Sequence, residues 1–344
     1  MDREKLATSL ESMRRLAVPE PGMYAIAPLE ETGMPDVLSN VLRVFRAIDF
    51  RRGRRPSKVY DPDFNLHEHV LSDSPTTIAA KMGKEWQTFQ HHAIVQIGVC
   101  NFRCFYCYVD FRFLTGRNVV HVTALQVVEQ FLTRRAELAK EGIALNVLRI
   151  SGGEPMLAPD LTLECLRIVR DRGLAGEICV KTETNLAPLV TIDGTCPAAR
   201  WADLAEFRSH PNFILHPTFH GLNRQSLRRI STANWDNFEM MFDAIRTLID
   251  FGIDFYPSFG ANTVAVDDVD AFFSELKQVH ENLPLRIAVR KFHLEYEAPA
   301  TRENGSRDVM VYDHVATISA WDARLRREYG VGYGELPRHQ FPLH

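Results

Sequence analysis

The chain has no apolar run approaching the roughly 20 residues that a membrane-spanning helix needs, and its opening stretch, Met1-Asp2-Arg3-Glu4-Lys5, lacks the apolar core of a secretory signal. Charge of one sign is not in excess. Forty basic residues face 44 acidic ones, a net charge of −4. That balance offers no general attraction for nucleic acid or for a membrane surface. Cysteine is scarce, six in 344 residues, and three of the six fall in one short stretch. Such usage does not make a disulfide framework and points to a reducing, cytoplasmic setting. Internal repeats and low-complexity tracts are also missing. What remains is room for one large α/β domain and an extension, with a sizeable core.

The chemistry is concentrated in Cys100-Asn101-Phe102-Arg103-Cys104-Phe105-Tyr106-Cys107. Three thiols at spacing C-x3-C-x2-C follow an apolar run that reads as a buried strand. Thiolates held this close are costly unless something positive binds them, and iron–sulfur clusters are bound by such thiolates. A four-iron cube has four corners, and this loop supplies three ligands. A metal site with one free position is a site for chemistry, by the logic that separates catalytic from structural zinc. Two plainer readings also fit the spacing: a structural zinc ion with His91 or His92 as fourth ligand, or three unrelated core cysteines.

From residue 93 onward, short β-branched runs alternate with amphipathic helical patterns. Strands are expected over 93–99, 145–150, 177–182, 213–218, 253–259 and 286–292. Helices are expected over 124–140, 161–171, 200–209, 235–251, 269–282 and 313–329. Six strands alternating with helices make a parallel sheet curled into a partial barrel. Ligands in such folds sit at the C-terminal ends of the strands, where the cysteine loop emerges. Residues 1–90 differ in character. Segments 2–16 and 34–48 have helix-like apolar spacing, and Arg51-Arg52-Gly53-Arg54-Arg55 forms a basic run suited to a solvated face or a docking surface. The expected organisation is an extension over 1–90, a barrel over 91–298, and a helix and tail over 299–344 that covers the barrel mouth.

At the end of the second strand comes Ser151-Gly152-Gly153-Glu154-Pro155. Paired glycines let backbone approach a ligand closely, and Glu154 adds an acceptor suited to an ammonium group. A plain strand-to-helix turn has the same composition. Some 45 residues after the cysteines, however, this stretch completes a pattern: Cys100, Cys104 and Cys107 with Gly152, Gly153, Glu154 and Pro155 strongly resemble the radical S-adenosylmethionine (SAM) enzymes. The resemblance covers about residues 93–293. It implies a partial (β/α)6 TIM-like barrel with an N-terminal, mainly helical extension. It implies one [4Fe–4S] cluster on the three cysteines, SAM on the open iron, the Gly-Gly-Glu-Pro turn at the SAM amino group, and Tyr106 along the adenine. Glu183 and Asn185, in Lys181-Thr182-Glu183-Thr184-Asn185, are suited to the ribose hydroxyls. Thr218 with Arg228 or Arg229 is suited to the SAM carboxylate. His220 stands where the family commonly has an acid.

The resemblance implies reductive cleavage of SAM to a 5′-deoxyadenosyl radical that abstracts hydrogen from a substrate. A small polar metabolite is the expected substrate, with His216, His220, Arg290, His293 and Glu295 as candidate pocket residues among a wider polar pool that includes Lys181 and Ser258. A flavodoxin or ferredoxin is the implied electron donor. Two other functions remain open: modification of a macromolecule (a glycyl-radical partner, RNA or a peptide), and a non-catalytic zinc module. Cys165, Cys179 and Cys196 lack the spacing of a second cluster, so one cluster per chain is expected.

Overall fold

The structure is a computed structural model, and it describes residues 3–28, 42–46, 74–107, 109–190, 201–231, 238–260, 266–290, 307–336 and 338–344. Helix α1 (Arg3–Ala17) leads to strands β1 (Tyr24–Ile26) and β2 (Arg43–Arg46), then helix α2 (Ser74–Met82). Strand β3 (His91–Ile97), strand β4 (Val120–Val122), helix α3 (Ala124–Lys140) and strand β5 (Leu145–Gly152) follow. Next come α4 (Pro159–Asp171), β6 (Cys179–Thr184), α5 (Trp201–Phe207) and β7 (Phe213–Phe219). The remainder is α6 (Arg224–Ile230), α7 (Met240–Asp250), β8 (Ser258–Gly260), α8 (Val266–Val279), α9 (Leu283–Arg286), β9 (Ala288–Arg290) and α10 (Arg307–Tyr329).

Strands β3, β5, β6, β7, β8 and β9 pair in that order, all parallel, and form the partial barrel. Parallel neighbours need crossovers, which α3, α4, α5 and the later helices supply. Helix α3 begins where its capping box predicts: Thr123 accepts from the Gln126 amide while Gln126 returns a bond to the Thr123 amide.

Segment 34–48 departs from its helical expectation. Residues 43–46 form β2, antiparallel to β3, and the rest lies outside the described residues. Strand β1 pairs with the other end of the same β3 edge and with β4. The extension therefore covers an edge that would otherwise offer unpaired backbone groups. Two other expectations are trimmed. Strand β8 is short, preceded only by a bridge between Leu215 and Phe255, and α9 occupies the start of the expected 286–292 strand.

Side chains alternate across each strand, and the barrel interior is layered as a result. At the base, Val147, Cys179, Ile214 and Tyr256 pack with Ile78 and Ala79 of α2 and with Phe89 in an apolar floor. Asp254 clamps this end by pairing with Lys81 and Arg286, and Arg286 lies 4.2 Å from the Tyr256 ring. One step further along the same faces come Arg149, Lys181 and His216, then Ser151, Glu183 and Thr218. The tail is held beneath the barrel. Arg338 donates to the Ile287 carbonyl, His344 meets the Ile253 carbonyl, and Asn282 donates to the Pro342 carbonyl. These contacts lie where β8 and β9 begin, at the end opposite the expected mouth.

The outer face of the sheet is apolar. Phe219 and Phe259 meet Phe242 of α7, Phe272 of α8 and Trp321 of α10 in one aromatic knot. Phe272 touches every other member and is fully buried. Phe272→Ala is expected to cost about 3–5 kcal/mol, as large buried aromatic deletions do. Urea denaturation checks this, and a loss under about 1 kcal/mol would place the packing elsewhere.

Candidate functional site

The cysteine loop leaves the C-terminal end of β3 and is tied to four neighbours. Cys100 donates its amide to the Leu114 carbonyl, and Phe105 donates to the Ile230 carbonyl at the end of α6. The Ser231 hydroxyl donates to the Phe102 carbonyl, and Asn185 at the end of β6 donates its side-chain amide to Asn101 over 2.7 Å. Arg103 takes a left-handed conformation (φ 48°), which curls the chain between Cys100 and Cys104.

The Gly-Gly-Glu-Pro turn presses on the same loop. Gly153 donates to the Ile97 carbonyl and Glu154 to the Val99 carbonyl, each over 2.8 Å. A Cβ on Gly153 would stand 2.1 Å from the Val99 oxygen, and one on Gly152 would stand 2.4 Å from the Gln96 side chain. These glycines therefore serve backbone contact with β3. The Gly153 and Glu154 amides are engaged with carbonyls of the β3 exit. Pro155 opens a buried 3-10 turn, Pro155–Leu157.

Glu154 is 1% exposed, and its carboxylate accepts from the amides of Met156 (2.9 Å) and Asn185 (2.6 Å). Burial pushes its pKa up to about 7, against the pull of those amides. Burial also raises the cysteines, Cys100 to about 12 with help from Cys107, and Cys104 well upward with help from Cys100 and Cys107. Cys100 and Cys107 pack against Ala27, Val109, Phe113 and Leu114. Part-buried and buried thiols such as Cys100 and Cys104, whose ionisation burial opposes, fit a cationic iron–sulfur group, which draws them as thiolates.

The zinc reading with His91 or His92 is overturned. Both begin β3, whereas Cys100 follows its end, and His92 to Ile97 alone spans roughly 16 Å of strand. His92 is buried and its Nε2 meets the Phe89 carbonyl at 3.0 Å. No three His, Cys, Asp or Glu side chains among the described residues converge as a single ion would require. An iron–sulfur cube takes one sulfur per iron and needs no such convergence. Cys165 and Cys179 are buried in α4 and β6, apart from one another. Cys196 lies outside the described residues.

His220 joins the cysteine loop. Its Nδ1 meets the Tyr106 hydroxyl and lies 3.6 Å from the Cys104 sulfur, and its ring stacks on Tyr106 and meets Phe102 edge-on. Burial, with Arg290 nearby, lowers its pKa to about 3, so the ring is neutral. Burial, with Cys104, raises the Tyr106 hydroxyl well above its ordinary value, so the phenol keeps its proton.

Below this loop, Glu183 gathers the lumen. It accepts from Arg149 (2.5 Å), Arg290 (3.1 Å) and Ser151. Burial opposes its charge, but Arg149, Arg290 and Lys181 hold it well below the ordinary carboxylate range. His216 meets the Ser258 hydroxyl at 3.2 Å, and Thr218 meets the same hydroxyl at 3.0 Å. Burial, with Arg290 and Lys181, lowers His216 well below its ordinary value. Arg228 and Arg229 are exposed in the last turn of α6, whose buried face is Ser226, Leu227 and Ile230. His293 and Glu295 lie outside the described residues. Sequence reasoning missed Arg149 and Gln96 as lumen groups. Their signal was a polar residue within an apolar strand, as in Leu148-Arg149-Ile150 and Val95-Gln96-Ile97.

A parallel α/β barrel with a part-buried three-thiol loop at its strand ends defines a cofactor-dependent barrel enzyme. The family model of the Radical SAM superfamily matches residues 94–276, more than half of the chain. The chain belongs to that superfamily, whose cofactors, a [4Fe–4S] cluster and SAM, are therefore its own. It is similar to GTP 3′,8-cyclase of Pectobacterium atrosepticum, 26% identical over 174 residues, which span 50% of this chain and 45% of that protein. Among solved structures, SuiB of Streptococcus suis bound to S-adenosylmethionine is 14% identical with a TM-score of 0.45, covering 68% of this chain and 47% of that one. Methylornithine synthase is also 14% identical, with a TM-score of 0.38 over 81% of this chain and 84% of that one. The chain thus spans less than half the length of the curated relative and of SuiB. No described helix is long and apolar enough to cross a membrane.

The raised pKa of Glu154 has a consequence for stability. Between its ordinary 4.5 and about 7 the folded state holds the proton more tightly than the unfolded chain. Stability contributed by this group is thus lost as pH rises through that window, by roughly 3 kcal/mol in all. In cofactor-free protein, urea midpoints at pH 5 and pH 7.5 are expected to differ in this sense more for the native chain than for Glu154→Gln. Equal differences would refute the assignment.

Proposed function

We propose that this chain reductively cleaves SAM and uses the resulting radical to abstract hydrogen from a small polar metabolite. The observation that carries this reading is the direct backbone tie between the cysteine loop and the Gly-Gly-Glu-Pro turn, set above a polar lumen closed at its base. Bound together, the cluster and SAM supply reductive scission of the sulfonium to a 5′-deoxyadenosyl radical. The protein positions, shields and holds protons. Cys100, Cys104 and Cys107 hold the cluster in a dry pocket made with Phe102, Val99, Phe113 and Leu114. Glu154 receives the SAM ammonium group, whose positive charge favours the ionised carboxylate that burial alone opposes. Tyr106, braced by His220, would lie along the adenine, and Asn185 would serve the ribose. Glu183 is the other ribose candidate; both side chains have protein partners, Glu183 in Arg149, Arg290 and Ser151, and Asn185 in Asn101 and the Ala187 amide. Thr218 and Arg228 or Arg229 remain the candidates for the SAM carboxylate.

The closed floor and buried polar layer suit a small molecule. The name of the curated relative, a cyclase of GTP, supports a metabolite as substrate in the same sense. A flavodoxin or ferredoxin would deliver the electron.

Anaerobic reconstitution followed by reduction in the presence of SAM is expected to release 5′-deoxyadenosine and methionine. Replacing Cys100, Cys104 and Cys107 together by alanine abolishes that release and the bound iron. Undiminished 5′-deoxyadenosine from the triple variant would overturn the reading.

A further inference from the structure

His220 is part-buried just after β7, and the chain beyond it is pinned down. Gly221 turns the backbone with φ 117°, and a Cβ there would stand 2.6 Å from the Ser226 hydroxyl. The amides of Leu222 and Asn223 donate to that same hydroxyl where α6 begins. The far end of α6 returns to the cysteine loop through the Ile230 carbonyl and the Ser231 hydroxyl. One strand–turn–helix unit thus holds the loop twice, by His220 before the helix and by Ile230 and Ser231 at its end.

In this grip the imidazole Nδ1 meets the Tyr106 hydroxyl and lies 3.6 Å from the Cys104 sulfur. The Tyr106 hydroxyl is itself hydrogen-bonded to Cys104, a contact that favours the thiolate. Stacking on Tyr106 and edge-on contact with Phe102 orient the imidazole. Three polar atoms, Nδ1, Oη and Sγ, therefore converge at one ligand of the cluster. A cluster-bound thiolate has no proton and only accepts. The proton order that satisfies all three atoms runs from Nδ1–H to the phenol oxygen, and from the phenol O–H to the sulfur. Cys100 differs, since its sulfur is met by the amides of Phe102 and Arg103, donors that belong to the loop's own backbone.

We propose that His220 is a positioning residue that, through the Tyr106 hydroxyl, keeps a hydrogen bond on the Cys104 sulfur and thereby raises the reduction potential of the cluster. The proposal rests on the radical SAM reading and adds how this chain eases the one-electron reduction that the reading requires. A donor on a ligand sulfur stabilises the reduced state more than the oxidised one, because the electron supplied by the reductant adds negative charge to the sulfur.

The test is an anaerobic reductive titration of reconstituted protein with titanium(III) citrate and mediators, followed by the EPR signal of the reduced cluster. His220→Phe keeps a ring against Tyr106 and Phe102 and removes the nitrogen. At the potential where the native cluster is half reduced, the reduced-to-oxidised ratio of this variant is expected to fall at least threefold. A tenfold fall corresponds to a shift of about 59 mV for one electron. His220→Asn, whose amide nitrogen reaches the place of Nδ1, is expected to restore the ratio to within twofold of native. Tyr106→Phe is expected to lower the ratio as His220→Phe does, and the double variant to lower it less than twofold further, because both break one chain of bonds. Tyr106→Phe carries the test if His220→Phe fails to hold iron. A ratio within threefold of native in the single variants, or a rise, overturns the proposal. So do additive losses in the double variant, or an Asn variant no better than Phe, which would leave His220 a packing role only. Iron content and release of 5′-deoxyadenosine by the native protein, measured alongside, keep failure of this proposal distinct from failure of the cleavage reading.

Discussion

Two backbone hydrogen bonds, from Gly153 to Ile97 and from Glu154 to Val99, organise the working end of this protein. They lock the turn after β5 onto the strand exit that becomes the cysteine loop. The lock depends on absent side chains, since a Cβ at Gly153 would collide with the Val99 carbonyl, a backbone atom that has little freedom to move. Once it is closed, Glu154 is buried against the Asn185 amide, and Asn185 in turn reaches Asn101 inside the loop. Three strand ends are thereby fixed relative to one another. The fourth, at β7, joins through His220 and through the contacts that Ile230 and Ser231 make with the loop.

Beneath this rim the barrel separates two solvents. Its base is apolar and sealed by α2 and the tail, whereas its upper layers hold charged groups away from water. A buried ion pair contributes little net stability on its own, because desolvation offsets the attraction. The cluster around Glu183 is therefore hard to explain as a folding device, and its cost makes sense at a site that must bind something. The knot of Phe219, Phe259, Phe272 and Trp321 on the opposite face of the sheet is the kind of contact that stabilises the barrel. Packing outside the sheet leaves the interior free for chemistry.

Much of the fold was readable from periodicity. Helix α3 matches its expected span of 124–140, and β5 and β7 begin where expected, since each has strong apolar patterning between turn residues. Segment 34–48 misled because its apolar spacing suits a helix, yet Arg43-Val44-Phe45-Arg46 pairs with β3 and shields its edge. A local pattern does not reveal that an edge elsewhere needs covering. The candidate site divides in a similar way. Loop thiols, paired glycines and Glu154 were legible because they are close in the chain. Glu183 and Arg290 were named singly, but their meeting with Arg149 was not legible, since 34 and 107 residues separate Glu183 from its two guanidinium partners.

The sequence by itself carried the cofactor signature, because three thiols within eight residues and the Gly-Gly-Glu-Pro stretch that follows are a pattern written along the chain and survive in any fold. It also determined the alternation of strands and helices, which hydrophobic period imposes locally. Only the tertiary structure decided which polar side chains face one another across the lumen. A strand points its residues alternately in and out, and a shift of one residue in register between two strands exchanges the two sets. The meeting of Arg149, Lys181, Glu183 and Arg290 is thus a property of four strand pairings together, and no single segment of the chain contains it.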